Sequence, residues 1–189
     1  MMPVLWLIRH GSSVISGTGR WQGWLDIGLS DEGRKQAIHR RLTGDLPATD
    51  RAFTSPLRRC VETCEIILPN TPLTYDGRLR TRNLGEWEGL TTEQINQQGG
   101  YWFSPFAEQS PPNGESLEDV WQRISSFIKD MSYLCGPQII ITHGAIIGLI
   151  LSRLNIEPVI VPPCSFVIIE YTEGIWILKQ GPAGSVPPV

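Results

Sequence analysis

Four cysteines are too few and too irregularly spaced for a disulfide framework. Cys60 and Cys64 lie four apart, which sets both thiols on one face of a helix, while Cys135 and Cys164 stand alone. No CxxC pair and no Cys/His cluster offers zinc-ligand spacing, so no metal site and no cofactor is expected. Packed thiols in a reducing compartment are the simplest reading. Basic charge is not in excess: 16 Lys and Arg against 19 Asp and Glu give a net charge of −3. That balance argues against nucleic acid or an anionic membrane as the main partner. No apolar run approaches membrane-spanning length. The opening MMPVLWLI runs straight into Arg9-His10, without the flank and length of a secretory leader. A cytoplasmic location is the expectation. No repeat or linker divides the chain, so residues 1–189 are read as one domain, with 181–189 as a frayed tail.

What is present is the 41% of hydrophobic residues that one substantial core requires. Val4 to Ile8 is a continuous apolar run of the kind buried on both faces of a parallel sheet, and Gln138 to Thr142 is read as a second fully buried strand. Shorter strands are read at Arg51 to Thr54 and Leu73 to Tyr75, and a closing hairpin at Ser165 to Tyr171 and Ile175 to Lys179, turning at Glu173-Gly174. DEGRKQAIHRRL is helical, capped at Ser30 or Asp31. Ser55-Pro56 reads as the N-cap and first turn of a helix running through LRRCVETCEIIL. Thr91 to Gln98 is a short helix. From Ser116, with Asp119 as its capping-box partner, Leu117, Val120, Trp121, Ile124, Phe127, Ile128, Met131 and Leu134 keep helical spacing. AIIGLILSRL continues as an apolar helix. Gly99 to Glu115 is an irregular insertion long enough to lid a site, with Trp102 and Phe103 as candidates for stacking on a substrate. Arg40-Arg41 and the arginines between Arg78 and Arg82 are read most simply as solvated faces, with one of the second group a candidate to reach a charged substrate group.

Strands alternating with helices predict a three-layer α/β/α sandwich around a mostly parallel sheet. In such sheets ligands bind beyond the carboxyl ends of the strands. Arg9-His10 closes one strand, Ser55 to Arg59 follows another, and His143 closes a third, so three chemically capable segments converge on one edge.

Phosphoryl transfer to a side chain needs a nucleophile held in line, cations and N–H groups on the equatorial oxygens, and an acid for the leaving oxygen. Neutral imidazole is a competent nucleophile near pH 7. His10 sits between Arg9, which supplies charge, and Gly11, which permits close backbone approach. Arg59 falls in the first turn of a helix, where free N–H groups favour anions. His143 occupies a similar strand-to-helix junction.

These residues resemble the histidine phosphatase superfamily, the group containing the cofactor-dependent phosphoglycerate mutases. The blocks that carry the resemblance are LIRHG, GRWQGWLDIGLSDEGRKQA, SPLRRCVETCEII, PPNGESLEDVWQRISSF and IITHGAIIG, in order from residue 4 to about 172. The resemblance implies a phosphoglycerate-mutase-like fold and a phosphohistidine on His10. Arg9, Arg59 and His143 would complete the phosphate pocket, with a contact from the Gly144 amide. Gln22 and Gly23 match a loop that touches substrate, and Cys60 stands in the usual Ala place. The compact length resembles the alpha-ribazole phosphatase-like members more than the glycolytic mutases, which carry an extra basic insertion.

Two departures stand out. Ser12, Ser13 and Ser16 occupy places where the family has Glu, Thr and a phosphate-holding Asn, and a hydroxyl still donates to phosphate. Thr81 stands where the family carries its proton-donating Glu. The role then falls to Glu86, Glu88 or Glu115, with Glu115 ranked first because GES is a recurrent block near the site. The expectation is a metal-independent phosphatase acting on a small phosphorylated metabolite, with a homodimer left open. The alternatives are a degenerate phosphate-binding module, a mutase-type phosphotransferase, and removal of phosphate from a partner protein's histidine.

Overall fold

The computed structural model describes residues 1–102, 104–157 and 159–183. Six strands form one sheet in the order β3-β2-β4-β1-β5-β6: β1 (Pro3–Arg9), β2 (Ala52–Thr54), β3 (Leu73–Tyr75), β4 (Gly136–Thr142), β5 (Phe166–Thr172) and β6 (Ile175–Ala183). The first four strands run parallel, and the closing hairpin joins antiparallel along β1. The helices are α1 (Asp31–Thr43), α2 (Arg58–Ile67), α3 (Thr92–Gln97), α4 (Leu117–Met131) and α5 (Gly144–Arg153).

Side-chain alternation along the strands divides the core in two. Leu5, Leu7, Ile140, Val167 and Ile169 face α4 and α5, meeting Val120, Ile124, Phe127, Ile147 and Ile150. Ile8, Ile139, Ile141, Phe166 and Ile168 face the other way, onto Ala37, Cys60, Cys64 and Ile67 of α1 and α2. Both faces of the sheet are therefore dry, which is why the centres of β1 and β4, Val4 to Ile8 and Ile139 to Ile141, are apolar without alternation. A third cluster, Leu84, Trp87, Ile95, Trp102 and Ala107, packs α3 and the irregular 99–115 segment into a wall beyond the sheet.

Capping sets the helix starts. The Ser30 hydroxyl accepts from the Gly33 amide, and α1 ends at Gly44, whose φ of 63° suits glycine. Ser116 and Asp119 form the expected reciprocal box at the start of α4, as do Thr91 and Gln94 at α3.

Three expectations need correction. The Ser-Pro helix begins later, at Arg58, and Leu57 occupies the N-cap position without a side-chain bond, so Ser55 is free for another role. The tail is strand through Ala183, while residues 184–189 and Phe103 lie outside the described residues. Arg40 is not solvated. It is 1% exposed, donates to the Cys164 carbonyl and the Asp45 carboxylate, and lies over the Phe166 ring. An arginine stem fills apolar space readily while its planar head finds acceptors, and sequence position alone does not reveal this.

Candidate active site

β2, β4 and β1 are neighbours in the sheet, so the residues following them lie side by side. The junctions are fixed by backbone bonds beyond the ladder: the His10 amide donates to the Thr142 carbonyl at 3.0 Å, and the Ser55 amide to the Ile141 carbonyl at 3.0 Å. The His10 and His143 rings meet edge to face, centroids 5.0 Å apart.

His10 Nδ1 lies 2.7 Å from the Gly11 carbonyl oxygen, which can only accept. The proton therefore sits on Nδ1, and Nε2 carries the free lone pair. Burial, then the charge of Arg59, pushes the His10 pKa down to about 3, with the Gly11 bond opposing. His143 is held well below the ordinary value by burial, then by Arg59 and His10. Both rings are neutral at pH 7. His143 Nε2 lies 3.0 Å from Ser55 Oγ and 3.5 Å from Cys60 Sγ.

Two guanidinium groups are aimed by carbonyls. Arg59 donates from Nη1 and Nη2 to Leu25 and Gly23, each at 2.9 Å, and Arg9 donates from Nη1 to Val161 at 2.8 Å. Among the described residues, the buried Nε of each has no hydrogen-bond partner. Buried donors without partners are uncommon and call for a reason. Here both belong to cations lining the same cleft as His10. The first turn of α5 adds Gly144 and Ala145, where backbone amides have no partner within the helix.

The cleft encloses about 700 Å³. Of the residues singled out in the sequence, Arg9, His10, Ser16, Gln22, Gly23, Arg59, Thr81, His143 and Gly144 line it together. The buried Oε1 of Gln22 is also without a partner among the described residues. Ser16 is held by the Ser13 amide, which donates to its Oγ at 2.9 Å.

Gly11 and Glu115 do not line the cleft. The Gly11 amide donates to Thr63 Oγ1, and the close approach it allows is to the Gly33 backbone, whose carbonyl oxygen an added Cβ would meet at 2.6 Å. Glu115 is taken up by Arg123, at 2.8 and 2.9 Å, and by the Asn83 amide. The expectation that Glu115 serves as the acid is not met by this placement. Glu88 accepts from the Trp24 and Leu84 amides behind the cleft loop, and Glu86 accepts from Asn113.

Three residues in the site were not singled out for it. Ser55 reads in sequence as a helix cap, and only the observed start of α2 releases it to His143. Arg82 reads as a solvated charge but is buried, donating to the carbonyls of Ala107, Gln109 and Glu115. Arg20, at the exposed rim, donates to the Gly89 carbonyl. Trp102 is buried against Trp21 and Trp87 with Arg82 over its ring, so it forms the wall of the cleft rather than a mobile lid. Among the described residues, no three His, Cys, Asp or Glu side chains cluster as metal ligands would, and no helix is long and apolar enough to cross a membrane.

The sequence profile of the histidine phosphatase superfamily (branch 1) matches residues 5–181. A 2,3-bisphosphoglycerate-dependent phosphoglycerate mutase of Cytophaga hutchinsonii is 32% identical over 138 residues, 68% of this chain and 64% of that protein's own length. Among solved structures, Bacillus stearothermophilus YhfR superposes with a TM-score of 0.84 at 28% identity, over 97% of both chains. An Escherichia coli putative alpha-ribazole-5'-P phosphatase superposes with a TM-score of 0.86 over the whole of both chains, and at 20% identity it speaks for the fold alone.

Proposed function

The chain belongs to the histidine phosphatase superfamily, and on that premise we propose that it hydrolyses small phosphate monoesters through a phosphohistidine on His10. The observation that carries the reading is the free Nε2 of a neutral imidazole in a cleft with two buried, partnerless guanidinium N–H groups. An incoming phosphate supplies the acceptors that Arg9 Nε and Arg59 Nε lack.

In the first step the Nε2 lone pair attacks phosphorus, the N–P bond forms, and the leaving oxygen takes the electron pair of the broken P–O bond. Nδ1 keeps its proton on the Gly11 carbonyl, which stabilises the positive charge that develops on the ring. Arg9, Arg59, the neutral His143 and the α5 amides hold the equatorial oxygens. In the second step water attacks phosphorus, the N–P bond breaks, and Nε2 regains its lone pair. The water's proton leaves with phosphate or to solvent.

The test is quenched-flow labelling with a chromogenic phosphate ester. Acid-labile phosphohistidine that forms in the wild type and is absent in His10→Ala supports the reading. Turnover unchanged in His10→Ala would remove it. Transfer of the label to an added phosphoglycerate rather than to water would favour the mutase reading suggested by the curated relatives.

A further inference from the structure

The cleft contains cations and neutral donors but no acid. Four of its lining residues are arginines, Arg9, Arg20, Arg59 and Arg82, and none is Asp or Glu. The residues left undescribed, Phe103, Pro158 and 184–189, include no acidic side chain. Thr81 also lines the cleft. Two carboxylates outside the lining are already engaged: Glu88 accepts from two backbone amides under Gly23, and Glu115 pairs with Arg123. His143 is neutral, and its Nε2 faces Ser55. The remaining donors, hydroxyls, amides and the Trp102 indole, hold their protons too tightly to surrender them near pH 7.

A leaving oxygen that receives no proton must depart as an anion. An aliphatic alcohol, with acidity close to that of water at about 15.7, makes a poor anion. A phenol near 10 or a carboxylic acid near 4 makes a far better one. The wall of Ile15, Trp21, Leu84, Trp102 and Pro105 sharpens this difference. It solvates a localised alkoxide poorly, while an aromatic or delocalised group packs well against it.

Resting on the phosphatase reading above, we propose that the substrates are phosphoryl compounds with a weakly basic leaving oxygen: esters of phenols or enols, or acyl phosphates. The P–O bond breaks with its electron pair going to that oxygen, the N–P bond to His10 forms, and the anion leaves without a proton. The same lack of a carboxylate leaves the attacking water without a base, so the phosphohistidine persists and its hydrolysis limits turnover for the best leaving groups.

The experiment compares p-nitrophenyl, phenyl, acetyl and ethyl phosphate in the wild type, measuring both the rate of His10 phosphorylation and kcat/KM. An aryl-to-ethyl ratio of kcat/KM of at least about 10²-fold is expected, with kcat levelling off among the good leaving groups. Thr81→Glu should raise ethyl phosphate turnover by about 10²-fold relative to aryl. Glu88→Gln and Glu115→Gln should leave the ratio unchanged, and a ratio is independent of how much of each variant folds. A lower KM for phenyl phosphate would assign the class to aromatic esters, and a lower KM for acetyl phosphate to acyl phosphates. A wild-type ratio within about tenfold, or loss of ethyl turnover alone in either Gln variant, overturns the proposal while the phosphohistidine keeps the phosphatase reading intact. Failure of every substrate to label His10 overturns both.

Discussion

The His143 and His10 rings meet at 68°, and Nε2 of His143 is held 3.0 Å from Ser55 Oγ, so one hydroxyl helps set the tilt of the ring packed against His10. Loss of that bond, worth about 1 kcal/mol net, should be felt in the chemistry. Ser55→Ala is expected to slow phosphorylation of His10 about fivefold while KM holds, as pre-steady-state kinetics will read. A change confined to KM would argue against a positioning role.

Both imidazoles have pKa values lowered by burial, His10 to about 3. The unfolded chain takes up their protons below its ordinary value of about 6.5, and the folded chain does not. Stability is therefore unaffected above that value and falls as pH drops from about 6.5 toward 3. The slope approaches about 1.4 kcal/mol per pH unit for each ring. Urea denaturation at pH 7, 6 and 5 should show the decline, and His10→Ala should make it shallower. A midpoint insensitive to pH in this window would contradict the buried, neutral pair.

Gly33 lies against the loop that follows His10, and a Cβ there would overlap the Ser12 carbonyl oxygen. Backbone cannot step aside as a side-chain tip can. Gly33→Ala should cost about 1–3 kcal/mol of stability and weaken inorganic phosphate binding, as followed by denaturation and calorimetry. Wild-type values for both would mean the contact is relieved cheaply.

Arg82 ties the carbonyls of Ala107, Gln109 and Glu115 together beneath the Trp102 ring. Arg82→Met leaves these acceptors unpaired, at roughly 1–3 kcal/mol for a buried group. Limited proteolysis should then cut within residues 99–115, and KM should rise. Resistance equal to the wild type would show that the wall stands without it.

Cys60, Cys64 and Cys164 are buried, and burial pushes each thiol up to about 12, whereas Cys135 is exposed. A thiol reagent should modify one cysteine quickly in the native protein and the rest only on unfolding. Fast modification of a second thiol, with loss of activity, would place Cys60 within reach of the cleft.

Periodicity and capping made most of the framework legible before any coordinates. The alternation of apolar runs with amphipathic segments gives the layered sheet, and Ser116 with Asp119 marks the start of α4 because a cap is a local bargain between neighbours in sequence. The burial of two arginines is illegible in sequence for the opposite reason. Arg40 and Arg82 find carbonyl acceptors far along the chain, at Cys164 and between Ala107 and Glu115, and nothing adjacent to them announces those partners. Ser55 is hidden by a local rule, since Ser-Pro is a good helix opening and the chain starts the helix only at Arg58.

The sequence by itself determined the fold class, the family, and the candidate set of His10, Arg9, Arg59 and His143, because these rest on residue type, order and short-range spacing. Only the tertiary structure decided which nitrogen of His10 is free, that Glu115 is spent on Arg123, and that no carboxylate among the described residues lines the cleft. Those are matters of which groups face one another across a packed interior, and they are fixed by contacts between segments that chain order leaves far apart.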